Sequence, residues 1–573
     1  MFKKILVANR GEIAVRVIRA CRELGIASAA VFSDADRTAL HVRLADEAYP
    51  IGPAPPQESY LCLEKLVDVA CRTGCDALHP GCGPLAENPN LPHACEAFGI
   101  TFIGPSAEAM EAMGSKTSAR QLARRVDVPA VPGAFEPLES CEGAAVLAQT
   151  LGFPVVLKAV AGRGSKGMRV AAGPEELAPA WSGAAAEAMA AFADPRLYLE
   201  KYLERARHIE IQILADQHGR VVSLGERECS VQLRRRKIVE EAPSPMMTPH
   251  LRRQLGDAAV RLARAAGYVN AGTVEFLVDP QLNFYFLEVC PRLQTEHPVT
   301  EQVTGLDAVK LQIAIAAGHR LPFAWESITP RGHAIECRIC LAGPEDGFPS
   351  SPGAVASRRT PQGPGVRVDD GVYAGSAIPA GCDPLLEKII AWGNSREEAL
   401  ARLRRALGEY DLADIKTNVS LLRGILADPE FVRGEVHTCW LDELMKTRPA
   451  SPAAADEEHA AAEDAALIAA AFWRFRHNRR AKDRRIPKTG FPFDVRIGGR
   501  SGCVEIKPCG GRWVARLGHS VEADVAEVSP GAYSILLGGQ SREVRVTLSR
   551  PRGSLAIQSG AEEFAAEASD ART

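Results

Sequence analysis

A chain of 573 residues is too long for one compact domain and implies about three to five folding units. Hydrophobic residues make up 46% and charged residues 24%, enough for ordinary cores, and a formal charge of -3 argues against nucleic-acid binding as the main role. No apolar run approaches the roughly 20 residues that cross a bilayer, and the apolar stretch after Met1 stops at Asn9-Arg10, too short for a secretory signal. The expectation is a cytoplasmic protein with no membrane contact. Its 15 cysteines are scattered and odd in number, as expected of reduced thiols in cores. Cys337 and Cys340 form a lone CxxC whose neighbours alternate as in a strand, without a second pair at zinc spacing.

In chain order, residues 3–33 read as strand, helix, strand. Ile5 to Ala8 is apolar, Gly11 allows the turn, and Ile13, Val17, Cys21 and Leu24 recur at helical spacing. Repeats of the pattern through Ala77-Leu78-His79 and Thr101-Phe102-Ile103 predict a parallel sheet flanked by helices. The single glycine of Asn9-Arg10-Gly11-Glu12 excludes a dinucleotide fingerprint, which needs three. A second α/β region spans about 114–330, and a third, richer in strands, about 331–446. Residues 450–466, alanine-rich and acidic, read as a linker or surface helix, and the basic stretch 474–488 as a solvated connector. Short alternating runs divided by glycine pairs make 491–548 a small β unit, and the polar last twenty or so residues predict a disordered tail.

Chemistry concentrates in three places. The stretch 158–168 (KAVAGRGSKGM) follows an apolar strand and offers backbone amides and two lysines to phosphate oxygens, although a glycine-rich turn alone is a weak signal. GTVEFL at 272–277 and FYFLEV at 284–289 form a hairpin that sets Glu275 opposite Glu288. Facing carboxylates repel unless a cation lies between them, and oxygen ligands suit Mg²⁺. Arg292, Gln294 and Glu296 share period-two spacing. If extended, they put a cation, an amide and a carboxylate on one face, fit to bind and deprotonate a small oxyanion.

From Lys4 to about Leu444 the sequence resembles the biotin carboxylases. The resemblance is carried in order by ILVANRGEIAVRVIRA at Ile5, ALHPG at Ala77, GITFIGPS at Gly99, EKYLERARHIEIQILAD at Glu200, IVEEAP at Ile238, RLQTEHPVTE at Arg292, RGHAIECRI at Arg331, GVRVDDGVYAG at Gly365 and IKTNV at Ile415. It implies an α/β chain with a Rossmann-like N-terminal domain (1–115), a central ATP-grasp domain (116–330, lid near 132–204) and a C-terminal α+β domain (331–446). A linker (447–490), the small β unit (491–550) and the tail (551–573) follow. The implied reaction is ATP-dependent carboxylation of biotin by bicarbonate through carboxyphosphate, with Mg²⁺ or Mn²⁺, serving an acyl-CoA or pyruvate carboxylase.

The resemblance also assigns roles. Lys116, Lys158, Gly162, Gly164 and Gly167 fall on the nucleotide side. Glu200, Lys201 and Leu203 form the adenine-side hinge, and His208 and Gln232 lie near ribose and phosphates. Glu275 and Glu288 are metal ligands. Lys237, Arg292, Gln294 and Glu296 make the bicarbonate site, with Glu296 as base, and Arg338 stabilises the biotin enolate. The sequence departs from the family at Cys290, where asparagine is usual and where a thiol suits Mg²⁺ poorly. It departs also at Arg163, Ser165, Leu233, Arg235, at 81–84 and at 381–382. The alternative reading is a catalytically impaired homologue that binds nucleotide and serves in assembly. Residues 531–546 resemble the β segment before a biotinyl domain, but no AMKM hairpin is present. Biotin is therefore expected on a separate biotin carboxyl carrier protein, and the resemblance implies a carboxyltransferase and a second copy of the chain as further partners.

Overall fold

The strand Lys4–Val7 is buried on both faces, and the helix Gly11–Glu23 returns across it. In the computed structural model, which describes residues 1–161, 166–323, 328–341, 353–379, 384–412, 415–447, 457–477, 490–510, 512–518, 521–548, 554–559 and 562–571, this strand is the centre of a five-stranded parallel sheet. The order is Glu47–Pro50, Ala27–Phe32, Lys4–Val7, Ala77–His79, Thr101–Phe102. The uninterrupted apolar strands follow from helices covering both faces, as expected of the Rossmann-like region. The chain separates into two compact units, Met1–Met445 and Lys446–Thr573.

Two larger antiparallel sheets belong to the first unit, beside two short pairings, Gly353–Ala354 with Ala377–Ile378 and Arg358–Arg359 with Asp411–Leu412. A three-stranded antiparallel sheet sets Val155–Ala159 between Met168–Ala171 and Leu197–Lys201, under the helices Cys141–Leu151 and Pro174–Phe192. An eight-stranded antiparallel sheet runs in the order Phe284–Cys290, Asn270–Val278, Arg207–Ala215, Val221–Leu233, Arg236–Ala242, His333–Cys340, Leu385–Gly393, Val366–Asp370. The strand Arg236–Ala242 pairs directly with His333–Cys340, so the central region and residues beyond 331 share one continuous sheet. That pairing brings residues distant in sequence onto one face.

The second unit overturns two expectations. Eight antiparallel strands close into a barrel, Glu562–Asp570 returning to pair with Phe491–Ile497. The helix Glu457–His477 packs inside it, with Ala465, Ala466, Leu467, Ile468, Ala469, Ala470 and Ala471 wholly buried. Of the stretch 450–466 read as a linker or surface helix, the residues from 457 on belong to this helix, whose middle from 465 to 473 is apolar on every side and must be enclosed, with alanines letting the strands approach it closely. Nor is the tail disordered, since Ser554–Ser559 and Glu562–Asp570 are the last two staves, turning Leu555, Ile557, Phe564 and Ala566 inward. Of the stretch 474–488 read as a connector, residues 474–477 close the helix Glu457–His477 and 478–488 lie outside the described residues. No described helix is long and apolar enough to cross a membrane.

Deleting residues 551–573 removes both staves and leaves Phe491–Ile497 and Gln540–Leu548 with open edges beside an uncovered apolar helix. Unpaired edges template association. The truncated chain is expected to aggregate on size-exclusion chromatography and to lose its C-terminal unit to protease; a monodisperse, resistant product would show that closure is dispensable.

Candidate active site

The hairpin of Asn270–Val278 and Phe284–Cys290 places Glu275 directly opposite Glu288, as the sequence predicts. Both carboxylates face cations. Lys116 lies 3.0 Å from Glu288. His208 Nε2 donates to Glu275 Oε2 at 2.8 Å and Lys237 Nζ to Glu275 Oε1 at 3.4 Å. Gln232 Nε2 lies 2.9 Å from His208 Nδ1, and although burial lowers the His208 imidazole, the Glu275 carboxylate raises it above its ordinary value. Burial pushes the Glu275 carboxyl up, but Lys237 and His208 hold it well below the ordinary carboxylate range.

On the three-stranded sheet, Glu200 is buried between Arg120, which donates at 2.6 Å, and Lys158, which donates closely to its other oxygen. Burial lowers the Lys158 ammonium below its ordinary value, with Glu200 opposing the shift. Lys201 donates instead to the carbonyls of Gly152 and Phe153, and Leu203 is half-buried in the loop just beyond. Gly167 has φ +71°, and a Cβ there would meet the Ala159 Cβ at 2.7 Å, so the loop's return to the sheet requires glycine. Gly162, Gly164, Arg163 and Ser165 lie outside the described residues, as do 381–382.

Deeper in the sheet, Lys237 donates to Glu296 at 2.7 Å and closely to Glu210. Arg338 lies 3.1 Å from the other Glu296 oxygen and donates to Glu240 from Nε at 2.6 Å. Gln294 is held at both ends: its oxygen accepts from Arg227 at 2.8 Å, and its amide donates to Glu275 at 2.5 Å. Burial raises the Glu296 carboxyl, but Lys237, Arg338 and Arg227 together hold it well below the ordinary range, so it is an anion at neutral pH. The result is a buried carboxylate beside an amide donor and two cations, next to paired carboxylates that suit a divalent ion.

Residues 1–110 match the family described as biotin carboxylase, N-terminal domain; 115–324 the carbamoyl-phosphate synthase L chain, ATP binding domain; and 336–443 the biotin carboxylase C-terminal domain. The chain belongs to the biotin carboxylase family. A pyruvate carboxylase subunit of Methanothermobacter thermautotrophicus is 50% identical over 78% of this chain and 91% of its own length, and biotin carboxylase 1 of Bacillus subtilis is 48% identical over 77% and 98%. A solved structure of the biotin carboxylase domain dimer of Hydrogenobacter thermophilus 2-oxoglutarate carboxylase, with MgADP, ADP and bicarbonate, matches with a TM-score of 0.77 at 45% identity, over 79% of this chain and all of that one.

Within this biotin carboxylase fold one expectation needs correcting. Residues 292–296 are not a strand that turns three side chains to one face. Pro291 ends the ladder, and Glu296 has φ -82° and ψ 8° at the start of the helix His297–Thr304. Gln294 and Glu296 still reach the carboxylate cluster, but Arg292 donates to Glu87, from the N-terminal region, at 2.6 Å.

Sequence reasoning missed Glu210, Arg227 and Glu240, all fully buried. A signal existed: His208, Glu210 and Gln212 alternate with isoleucines along Arg207–Ala215, a polar face on a strand too apolar to be a solvent edge. Arg227 donates to Glu210, Gln212, Thr273, Gln294 and Thr300.

Glu240 lies opposite Glu336 across paired strands. Burial pushes the Glu240 carboxyl up to about 7, with Arg338 opposing and Glu296 reinforcing the shift. An unfolded glutamate ionises near 4.5, so between those values the native state keeps a proton that the unfolded chain has lost. This group's stabilising contribution is complete below about 4.5 and declines as pH rises through about 7. Glu240→Gln is expected to flatten that slope in urea midpoints measured across pH; equal slopes would assign it to another group.

Proposed function

We propose that this chain carboxylates biotin, carried on a separate polypeptide, using bicarbonate and ATP. The observation that carries the reading is Glu296, ionised and fixed between Lys237 and Arg338, one amide away from the Glu275–Glu288 pair. Bicarbonate is a poor electrophile, and phosphorylation of its oxygen to carboxyphosphate activates it. Lys237 and Arg292 supply positive charge for the anion, Gln294 orients it, and Glu296 takes its proton. Lys116 and Lys158 neutralise phosphate charge, while Glu200, Lys201, Leu203, His208 and Gln232 frame the nucleotide. Glu275 and Glu288 would hold Mg²⁺ or Mn²⁺, which fits facing carboxylates and would stabilise charge on the transferring phosphoryl group. Arg338 stabilises the enolate of biotin, and the three-stranded lid sheet excludes water from carboxyphosphate.

The proposed assembly pairs two copies of the chain with a biotin carboxyl carrier protein and a carboxyltransferase, and that second enzyme selects the final acceptor. Bicarbonate-dependent ATP cleavage that rises on adding free biotin tests the reading. Absence of any rise at saturating Mg²⁺ or Mn²⁺ rejects it in favour of an assembly role without turnover.

A further inference from the structure

Three groups of side chains in the described residues bring ligand atoms within 4.8 Å of one another: His208, Glu210 and Glu275; Glu210, Cys229 and Glu296; and Glu275, Glu288 and Cys290. Lys237 already donates to Glu210, Glu275 and Glu296, so an ammonium stands among the carboxylates of the first two groups; in the third it touches Glu275 at 3.4 Å, and Lys116 lies 3.0 Å from Glu288. The third differs in its donors. Cys290 ends the strand Phe284–Cys290 two residues beyond Glu288, and period two turns both side chains to the face where Glu275 stands opposite. Its thiol is 9% exposed and donates to Glu275 Oε1 at 3.2 Å. Two carboxylates and one sulfur make a mixed donor set. Oxygen alone suits a hard ion, whereas sulfur adds affinity for a soft one and almost none for Mg²⁺.

We infer that Cys290 is a sulfur ligand of the metal centre and turns its preference from Mg²⁺ toward thiophilic divalent ions such as Cd²⁺ and Zn²⁺. The inference rests on the reading of Glu275 and Glu288 as metal ligands. Coordination breaks the S–H bond, passes the proton to water and forms one metal–sulfur bond, with no change of oxidation state.

The test titrates Cd²⁺ into the reduced, metal-free full chain without nucleotide and follows thiolate-to-cadmium charge-transfer absorption. Because other thiols can contribute, the signal is the wild-type spectrum minus that of Cys290→Ser. One equivalent of a difference band is expected, with Cd²⁺ affinity lower by about tenfold or more in Cys290→Ser. Glu288→Gln should weaken the same band, and Cys290→Asn should lose it while binding Mg²⁺ more tightly. If Cys290→Ser does not fold, Cys290→Asn provides the subtraction. A band equal in wild type and Cys290 variants, or indifferent to Glu288→Gln, overturns the inference. Biotin-stimulated ATP cleavage without a Cys290-dependent band sinks the inference alone; the band without turnover sinks the proposed function and leaves the sulfur ligand standing.

Discussion

Replacing Glu296 by glutamine is expected to lower biotin-dependent ATP cleavage by about 10²–10⁴-fold with little change in nucleotide affinity. The carboxylate is buried and anionic, 2.7 Å from Lys237 and 3.1 Å from Arg338. Glutamine keeps the shape and one acceptor oxygen but cannot take a proton. Nucleotide binding is spared because Lys116 and Lys158 pair with Glu288 and Glu200, neither of which touches Glu296. Turnover assays beside equilibrium ADP binding decide the matter. A parallel loss of both would make Glu296 a structural anchor for Lys237 rather than a base.

The second large effect is expected at Arg227, a positioning residue. Its wholly buried guanidinium gives hydrogen bonds to five side chains, and the one to Gln294 Oε1 points that amide toward Glu275. Arg227→Met removes the fork and frees Gln294 to rotate. Misplacement of about 1 Å at a reacting anion can cost about 10²-fold in rate. The bicarbonate KM should therefore rise and kcat fall by about that factor, while the ATP KM moves little. Lysine should not restore activity, since an ammonium has three donors and no planar fork. Stability will also drop, because breaking a buried ion pair costs about 3–5 kcal/mol. The split between the two KM values is the decisive readout: equal changes would mean that Arg227 only holds the sheet together.

Much of this site was legible before any fold was known. The hairpin carrying Glu275 and Glu288 could be paired because two alternating strands are joined by a short turn, although the register shifts between Glu275 and Phe276, which alternation alone does not reveal. The parallel sheet around Lys4–Val7 was equally readable, since strand and helix periodicities differ sharply. Local pattern failed where backbone direction depends on distant partners. Arg292 shares period-two spacing with Glu296, but Pro291 breaks the strand and Arg292 pairs with Glu87 instead of lining one strand face with Gln294 and Glu296.

The order of residues alone was enough for the α/β class, the family and the facing carboxylates. Which buried charges compensate one another emerged from folding, because Arg227 meets Glu210 and Arg338 meets Glu240 through strand pairings that link residues up to about a hundred positions apart. The fate of the C-terminal segment was settled at the same level. Alanine-rich helix and polar-looking tail carry weak signals alone, and each is ordered only by the other: a barrel needs all its staves to satisfy its edges, and the helix needs the closed barrel to leave water.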